Sequence, residues 1–434
     1  MDLQDRALKS EPRPVKRSRP RLPERLGRSL LALAAMYLVL EGASYVGLRV
    51  VSKVRHLQYD PNPTALAPDK MKMLRGVVED LKKGKKFRIT FDGPLGWVMG
   101  PPAVNSAGMR DSREYSLTPA PGFVRMSAFG DSFTYGSDIP LEATWEKQIG
   151  KLAPSLEVLN YGVEAYGFDQ AYLRYLELGA DYHPSAVLIG YLSENINRDV
   201  NVYRPFYTSM YRDWLLSKPR FILSGGNLVL VPNPLPAIDD YERLLRNDAA
   251  VLGELGRNDY FYRHNYNYGR FDFSPSVRLG KLFWRELDQS VLHPIFRPDG
   301  IYDIHSEAYT VTVKLFDAFY RKVLDNGALP IIVLFPSRTD QQRSREGKVR
   351  SYQPMIEYFR GKGYRFIDTL KALEPHRSEY TLDQLSMLNS WGHFSQVASG
   401  IAARYMLEQL RQQDLMDAGR LNQAAQAERA RLPR

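Results

Sequence analysis

The stretch FVRMSAFGDSFTYGSD, residues 123–138, sets an apolar run ending at Phe129 directly against Gly130-Asp131-Ser132, with a second small residue at Gly136. The run reads as a strand buried on both faces. The glycine and small polar residues behind it read as a tight strand-to-helix turn. Ser132 is therefore expected at the carboxyl edge of a sheet, where functional residues of open α/β sheets gather. That place suits a nucleophile, because the positive end of a helix and nearby backbone N–H groups stabilise an oxyanion. Taken alone, a serine at such a turn is more often a helix cap.

The pattern then repeats. LEVLNYG (156–162), SAVLIGYL (185–192), LPIIVLF (329–335) and YRFID (364–368) read as further buried strands, with helices predicted at 142–152, 169–180, 307–326, 351–362 and 396–412. This alternation predicts an α/β fold with helices on both faces of a mainly parallel five-stranded sheet. The second strand ends in LNYGVEAYGFDQ, where Gly162, Ala165 and Gly167 allow close backbone approach, and the third ends in GYLSENINRDVN, offering Asn195. In LNSWGHFSQVASG, His393 sits in a loop just before a helix. A serine, an N–H-rich turn, an amide and a histidine at successive strand ends make up the set that acyl transfer requires: nucleophile, oxyanion donors and general base.

With these blocks in order, the chain resembles the SGNH, or GDSL-type, hydrolase superfamily over about 123–200 and 329–410. Gly130-Asp131-Ser132-Phe133 matches its first block, with Phe in the usual Leu place. The resemblance implies a three-layer sandwich in which Ser132 is the nucleophile and His393 the base. The Ser132 N–H, the Ala165 N–H and the Asn195 side chain would hold the oxyanion, with Asp131 and Gly162 in support. Two departures stand out. The family glycine of the second block falls on Ala165, and the aspartate expected three residues before the histidine is Ser390. A serine cannot stabilise a histidine cation. A Ser-His dyad is thus expected, with a backbone carbonyl or Asp383 orienting His393. Asp303-Ile304-His305 matches the D-x-H triplet of a related polysaccharide O-acetylation branch, but it follows the serine instead of preceding it and reads as coincidence.

Composition bounds the rest. The 434 residues contain no cysteine, which excludes disulfides, thiolate nucleophiles and iron–sulfur clusters. The net charge is +10, but residues 1–28 hold nine Lys/Arg against four Asp/Glu and so carry half of it. No nucleic-acid motif accompanies that charge. Residues 1–28 read as a basic arm and 29–51 as an apolar, uncleaved transmembrane anchor. Positive residues ahead of it favour a cytoplasmic N-terminus and an extracytoplasmic catalytic domain, periplasmic or at the cell surface. A linker and lead-in (52–120), the catalytic domain (121–413) and a polar, solvated tail (414–434) follow. An insertion at about 201–306 carries a predicted hairpin turning at Gly225-Gly226-Asn227, and DYFYRHNYNYGRFDF, with seven aromatics among fifteen residues. Tyr260, Tyr262 and Tyr266 are candidates for lining a glycan or acyl cleft, although packing of the insertion is the plainer reading. Arg204 is a candidate for an anionic substrate or a structural salt bridge. His56, His264, His293 and His376 have no acid or histidine partners at ligand spacing, so no metal and no cofactor is expected. The expected activity is that of an esterase or O-acyl(acetyl)transferase on an envelope or exported polysaccharide, working with that polysaccharide's machinery. A catalytically silent glycan-binding or assembly protein and a lipase or thioesterase are the alternatives.

Overall fold

The computed structural model describes residues 22–55, 68–84, 88–207, 215–246, 249–265, 269–387 and 392–432. It falls into two compact units, one of residues 62–268 with 284–434 and one of residues 1–61 with 269–283.

The strands of the larger unit are β1 (Ile89–Asp92), β2 (Gly96–Met99), β3 (Val124–Phe129), β4 (Leu156–Asn160), β5 (Ala186–Leu192), β6 (Arg220–Ser224), β7 (Asn227–Val231), β8 (Leu329–Phe335) and β9 (Phe366–Asp368). Five of them form one parallel sheet in the order β4-β3-β5-β8-β9. β3, β5 and β8 are buried along their whole length, as their predominantly apolar runs require. The charged residue of β3, Arg125, sits opposite Glu157 of β4 and meets its carboxylate at 2.8 Å, so the charge enters the sheet already paired. The helices Trp145–Leu152 and Gln396–Gln412 pack together, and Phe168–Leu178, Glu307–Asp325 and Ala418–Arg431 make a second group. Phe168 joins that second group through its ring, 4.2 Å from Phe316 and 5.8 Å from Phe319.

Several segments differ from expectation. The linker and lead-in contain a helix, Pro68–Lys82, and the β1–β2 hairpin. The insertion hairpin is β6–β7, but its turn is Gly225-Gly226 alone, at φ +57° and +81°; Asn227 already pairs with Ser224. Two consecutive positive φ values are what the tightest hairpin turn requires, and glycine adopts them without strain. The C-terminal tail is no solvated extension. Leu421, Ala425 and Glu428 lie on one helical face of Ala418–Arg431 and are buried, with Tyr320 and Arg365 bonded to Glu428. These inward positions, with Ala418 and Ala424 partly buried beside them, dock a helix whose other face is mostly polar.

The smaller unit contains the helix Leu22–Arg55, longer at both ends than the apolar run 29–51. Its stretch Leu26–Val54 is long and apolar enough to cross a membrane, and its large side chains stand exposed, Leu38 by 69% and Val39 by 72%.

Asp199, beyond β5, is fully buried and accepts hydrogen bonds from Phe168 N and Thr312 Oγ1, each at 2.8 Å. Burial, followed by the neighbouring Asp169 carboxylate, pushes its pKa up to about 7 against the pull of Lys218. A carboxyl raised by folding contributes stability that is complete below its ordinary pKa and is lost as pH rises through the raised value. Asp199→Asn is neutral at every pH. Its stability relative to the parent therefore rises from about pH 4 to about pH 7 in urea unfolding, and a flat difference would contradict the burial argument.

Candidate active site

After Phe129, Gly130 and Asp131 carry the chain into a one-turn helix, Ser132–Tyr135. Asp131 caps it, Oδ1 accepting from Phe133 N at 2.9 Å, while Oδ2 faces Arg198 Nη1 at 3.3 Å. Burial pushes the Asp131 carboxyl up, and Arg198 opposes that. The turn is pressed between the end of β4 and the body of β5. A Cβ on Gly162, just past β4, would lie 2.2 Å from Tyr135 N, and one on Gly190 of β5 would lie 2.1 Å from Thr134 Oγ1. No side chain fits either place, so Gly162 serves the close approach of the serine turn.

Ser132 Oγ lies 2.8 Å from His393 Nε2, and His393 Nδ1 lies 2.5 Å from Asp138 Oδ2. Ser132 and His393 are 4% and 8% exposed, whereas the Asp138 side chain is 36% exposed. The imidazole stands edge-on to Phe133 at 5.4 Å. Its loop is held by the Met387 N–H donating to the His393 carbonyl at 2.8 Å and by the bridge between Ser386 and Phe394. Ser395 then caps the helix Gln396–Gln412.

The carboxylate on His393 is therefore Asp138, which sequence reasoning missed. It belongs to the serine's own loop, six residues on, at φ +67°. Arg110 braces that loop on both sides of Asp138, through Nη1 on the Tyr135 and Gly136 carbonyls and Nη2 on the Ile139 carbonyl at 2.6 Å. The expected alternative, Asp383, is instead ion-paired with Arg338 and more than half exposed. Ser390 lies outside the described residues. The available signal was the Gly136-Ser137-Asp138 run just past the short helix, because a left-handed Asp or Asn marks a turn that aims its side chain.

Asn195 opens the short helix after β5 and is 1% exposed, yet neither its Nδ2 nor its Oδ1 has a hydrogen-bond partner among the described residues. A buried amide left unsatisfied costs on the order of 1–3 kcal/mol unless something else bonds it. Ser132 is the first residue of its helix, so its N–H has no intrahelical acceptor. Ala165 occupies the third place of a turn closed by the Tyr166 N–H on the Val163 carbonyl, at φ +60°. Glycine adopts that conformation freely, whereas an alanine there carries strain of roughly 1–2 kcal/mol. Arg204 is 2% exposed and donates through Nη2 to the Ala165 carbonyl at 2.6 Å, which makes it a brace for this turn.

Of the insertion's aromatic run, Tyr260, Phe261 and Tyr262 pack into the protein, whereas Phe271 and Phe273 stand exposed. Tyr260 is buried and donates to the His293 carbonyl, and the Tyr262 ring meets Phe206 at 4.8 Å. Tyr266 lies outside the described residues. Tyr260 and Phe261 also line a cavity of about 380 Å³ with Asn197, Ile295 and Phe296. His305 N–H donates to Asp303 at 2.8 Å, so that D-x-H triplet forms a local turn.

The expectation that His264, His293 and His376 have no acid partners fails at two places. His376 meets Glu379 Oε2 at 2.8 Å. His264 and His293 both bond the Asp288 carboxylate, a grouping that separations of 24 and 5 residues conceal. The His293 nitrogen is only 2.7 Å from the carboxylate. That is hydrogen-bond spacing, since ligands at about 2.0–2.1 Å from a tetrahedral ion stand farther from one another. Burial raises Asp288, but the bonds from His293 and His264 outweigh it and hold the carboxyl below its usual range.

No family model matches the chain, and no curated protein matches it. Among solved structures, the chain is similar to one described as a lipolytic protein of the G-D-S-L family from Desulfitobacterium hafniense DCB-2, at 14% identity and a TM-score of 0.34, over 66% of this chain and 98% of that one. A second solved structure is similar at 11% identity and a TM-score of 0.32, over 67% of this chain and 97% of the other.

Two measurements follow from this geometry. Asp138→Asn is expected to lower kcat for an ester by about 10²–10⁴, while Asp383→Ala stays within about twofold; the reverse order would return the orienting role to Asp383. Ala165→Gly is expected to raise stability by roughly 1 kcal/mol, read as a higher unfolding midpoint, and an unchanged or lower midpoint would contradict the strain.

Proposed function

We propose that the chain is a serine-dependent acyl-transfer enzyme of the esterase or O-acetyltransferase kind, anchored by residues 26–54 and acting on an extracytoplasmic polysaccharide. The observation that carries the chemistry is the Asp138–His393–Ser132 series. His393 donates Nδ1–H to Asp138 and is left with a lone pair on Nε2 aimed at the serine.

In the first half-reaction His393 Nε2 takes the Ser132 hydroxyl proton as Oγ forms its bond to the acyl carbon. The carbonyl electron pair moves onto oxygen, for which we assign the Ser132 N–H and the Asn195 amide as donors, the latter supported by its lack of a partner among the described residues. Return of that pair breaks the bond to the leaving oxygen, which accepts the proton from His393. In the second half-reaction water or a sugar hydroxyl gives its proton to Nε2 and attacks the acyl-serine. Ser132 is reprotonated, and either the free acid or an acylated sugar departs. Asp138 stabilises the imidazolium in both halves.

The reading of a silent binding protein rested on the missing aspartate before His393 and on the large aromatic insertion, and Asp138 speaks against the first of these grounds. Support for the extracytoplasmic setting is the exposed apolar helix at the N-terminus with basic residues ahead of it. Polysaccharide as substrate and acetyl as the acyl group rest on that anchor and on the resemblance in sequence.

The test is hydrolysis of a short-chain aryl acetate by the full chain in detergent, with fluorophosphonate labelling followed by intact mass. Ser132→Ala is expected to abolish labelling and to lower kcat by at least about 10³, and Asn195→Ala to lower it by about 10²–10³. Supplying an acetylatable oligosaccharide separates transfer from hydrolysis. A folded parent that neither labels nor turns over would overturn the proposal.

A further inference from the structure

The smaller unit joins two segments far apart in sequence. Glu41, within the apolar helix, accepts hydrogen bonds from Ser274 Oγ at 2.7 Å, Ser276 Oγ at 2.5 Å and Ser276 N at 3.2 Å. Farther along the same face, Gly47 lets a second helix come close, since a Cβ there would stand 3.2 Å from a Leu279 methyl. That helix is Pro275–Leu287. Ser44, between the two contacts, is only 5% exposed, whereas Leu38, Val39 and Val46 stand out on the open faces.

The joined segment is apolar on the outside and satisfied within. Phe271, Phe273 and Phe283 are 55%, 70% and 62% exposed. Asp272 is buried and paired with Lys281 at 2.6 Å, and its carbonyl accepts from Arg278 Nε. The turn ahead of the helix closes on itself through the Asp272 N–H on the Gly269 carbonyl and the Ser274 N–H on the Phe271 carbonyl, both at 3.0 Å. Exposed phenylalanines over an internally bonded backbone and paired charges suit contact with hydrocarbon, where unpaired backbone groups are excluded.

We propose that residues 269–283 are a second membrane-contacting element, held in one leaflet beside the span with Phe271, Phe273 and Phe283 against lipid. The occupant of this face is the bilayer itself, because the bonds to Glu41 tie its depth to that of the apolar helix. Glu41 stands eight residues before the exposed Arg49, about 12 Å along a helix rising 1.5 Å per residue. That distance lies within one leaflet of a hydrocarbon core about 30 Å thick. The same contact gives Glu41 its donors, so a carboxyl inside an apolar helix is matched by two serines instead of facing lipid. Arg270, stacked over Phe271 at 4.9 Å, has a stem long enough to carry its charge toward the headgroups.

The proposal rests on the N-terminal helix spanning the membrane, and the experiment separates the two. Because the chain has no cysteine, single substitutions Leu33→Cys, Phe273→Cys, Phe283→Cys and Glu408→Cys can each carry a nitroxide on the full chain in phosphatidylethanolamine–phosphatidylglycerol vesicles. Power-saturation spectra then compare collisions with oxygen, which partitions into lipid, and with a neutral nickel chelate, which stays in water. Labels at 273 and 283 are expected to favour oxygen as Leu33 does, with the opposite ratio at Glu408. If 273 and 283 match Glu408 while Leu33 favours oxygen, the span stands and the proposal falls. Exclusion of both reagents at 273 and 283 means that protein covers the face, which also overturns it. Nickel accessibility at Leu33 removes the span and the proposal together.

Discussion

The site is organised by one close approach of backbones. The helical turn after β3 is pressed between the end of β4 and the body of β5, so tightly that Gly162 and Gly190 cannot be replaced without moving a main chain or Thr134. Parallel register aligns the three strands, with Ala128 opposite both Asn160 and Leu188. The Asn160 side chain closes the joint, donating to the Thr134 carbonyl at 2.8 Å and accepting from the Gly162 N–H at 2.9 Å. Ser132 is thereby fixed by main-chain geometry, which a serine on a free loop would lack.

Three carboxylates near this joint have different tasks because their surroundings differ. Asp131 is wholly buried and spends its oxygens on a helix N–H and on Arg198. Asp138 is partly exposed and faces the imidazole. Glu146 is buried at the start of the helix Trp145–Leu152, where burial, ahead of every opposing bond, pushes its carboxyl well up. The acid on His393 is thus the one that keeps contact with solvent, which lessens the cost of its charge.

Where the chemistry follows strand ends, the sequence was readable. Ser132 and Asn195 stand just past apolar runs and His393 just ahead of a helix, and the limits of β8 and of the helix Gln396–Gln412 coincide with those read from periodicity. Asp138 was hidden because no spacing links it to His393, 255 residues away; only a left-handed turn aims it. The same holds for Asp288, which gathers His264 and His293 through tertiary packing. The helix Ala418–Arg431 was misjudged because its inward face is only a few residues wide, so composition outvoted position.

The placement of Asp138 alters how the site comes together. When acid and histidine share a loop, that pair forms locally and then has to find the serine. Here serine and acid share a single seven-residue segment, and the histidine is the newcomer, docking once between two groups already held apart at the right distance. Withdrawal of the His393 loop from between them therefore loosens both bonds together, so the whole relay hangs on the seating of one imidazole.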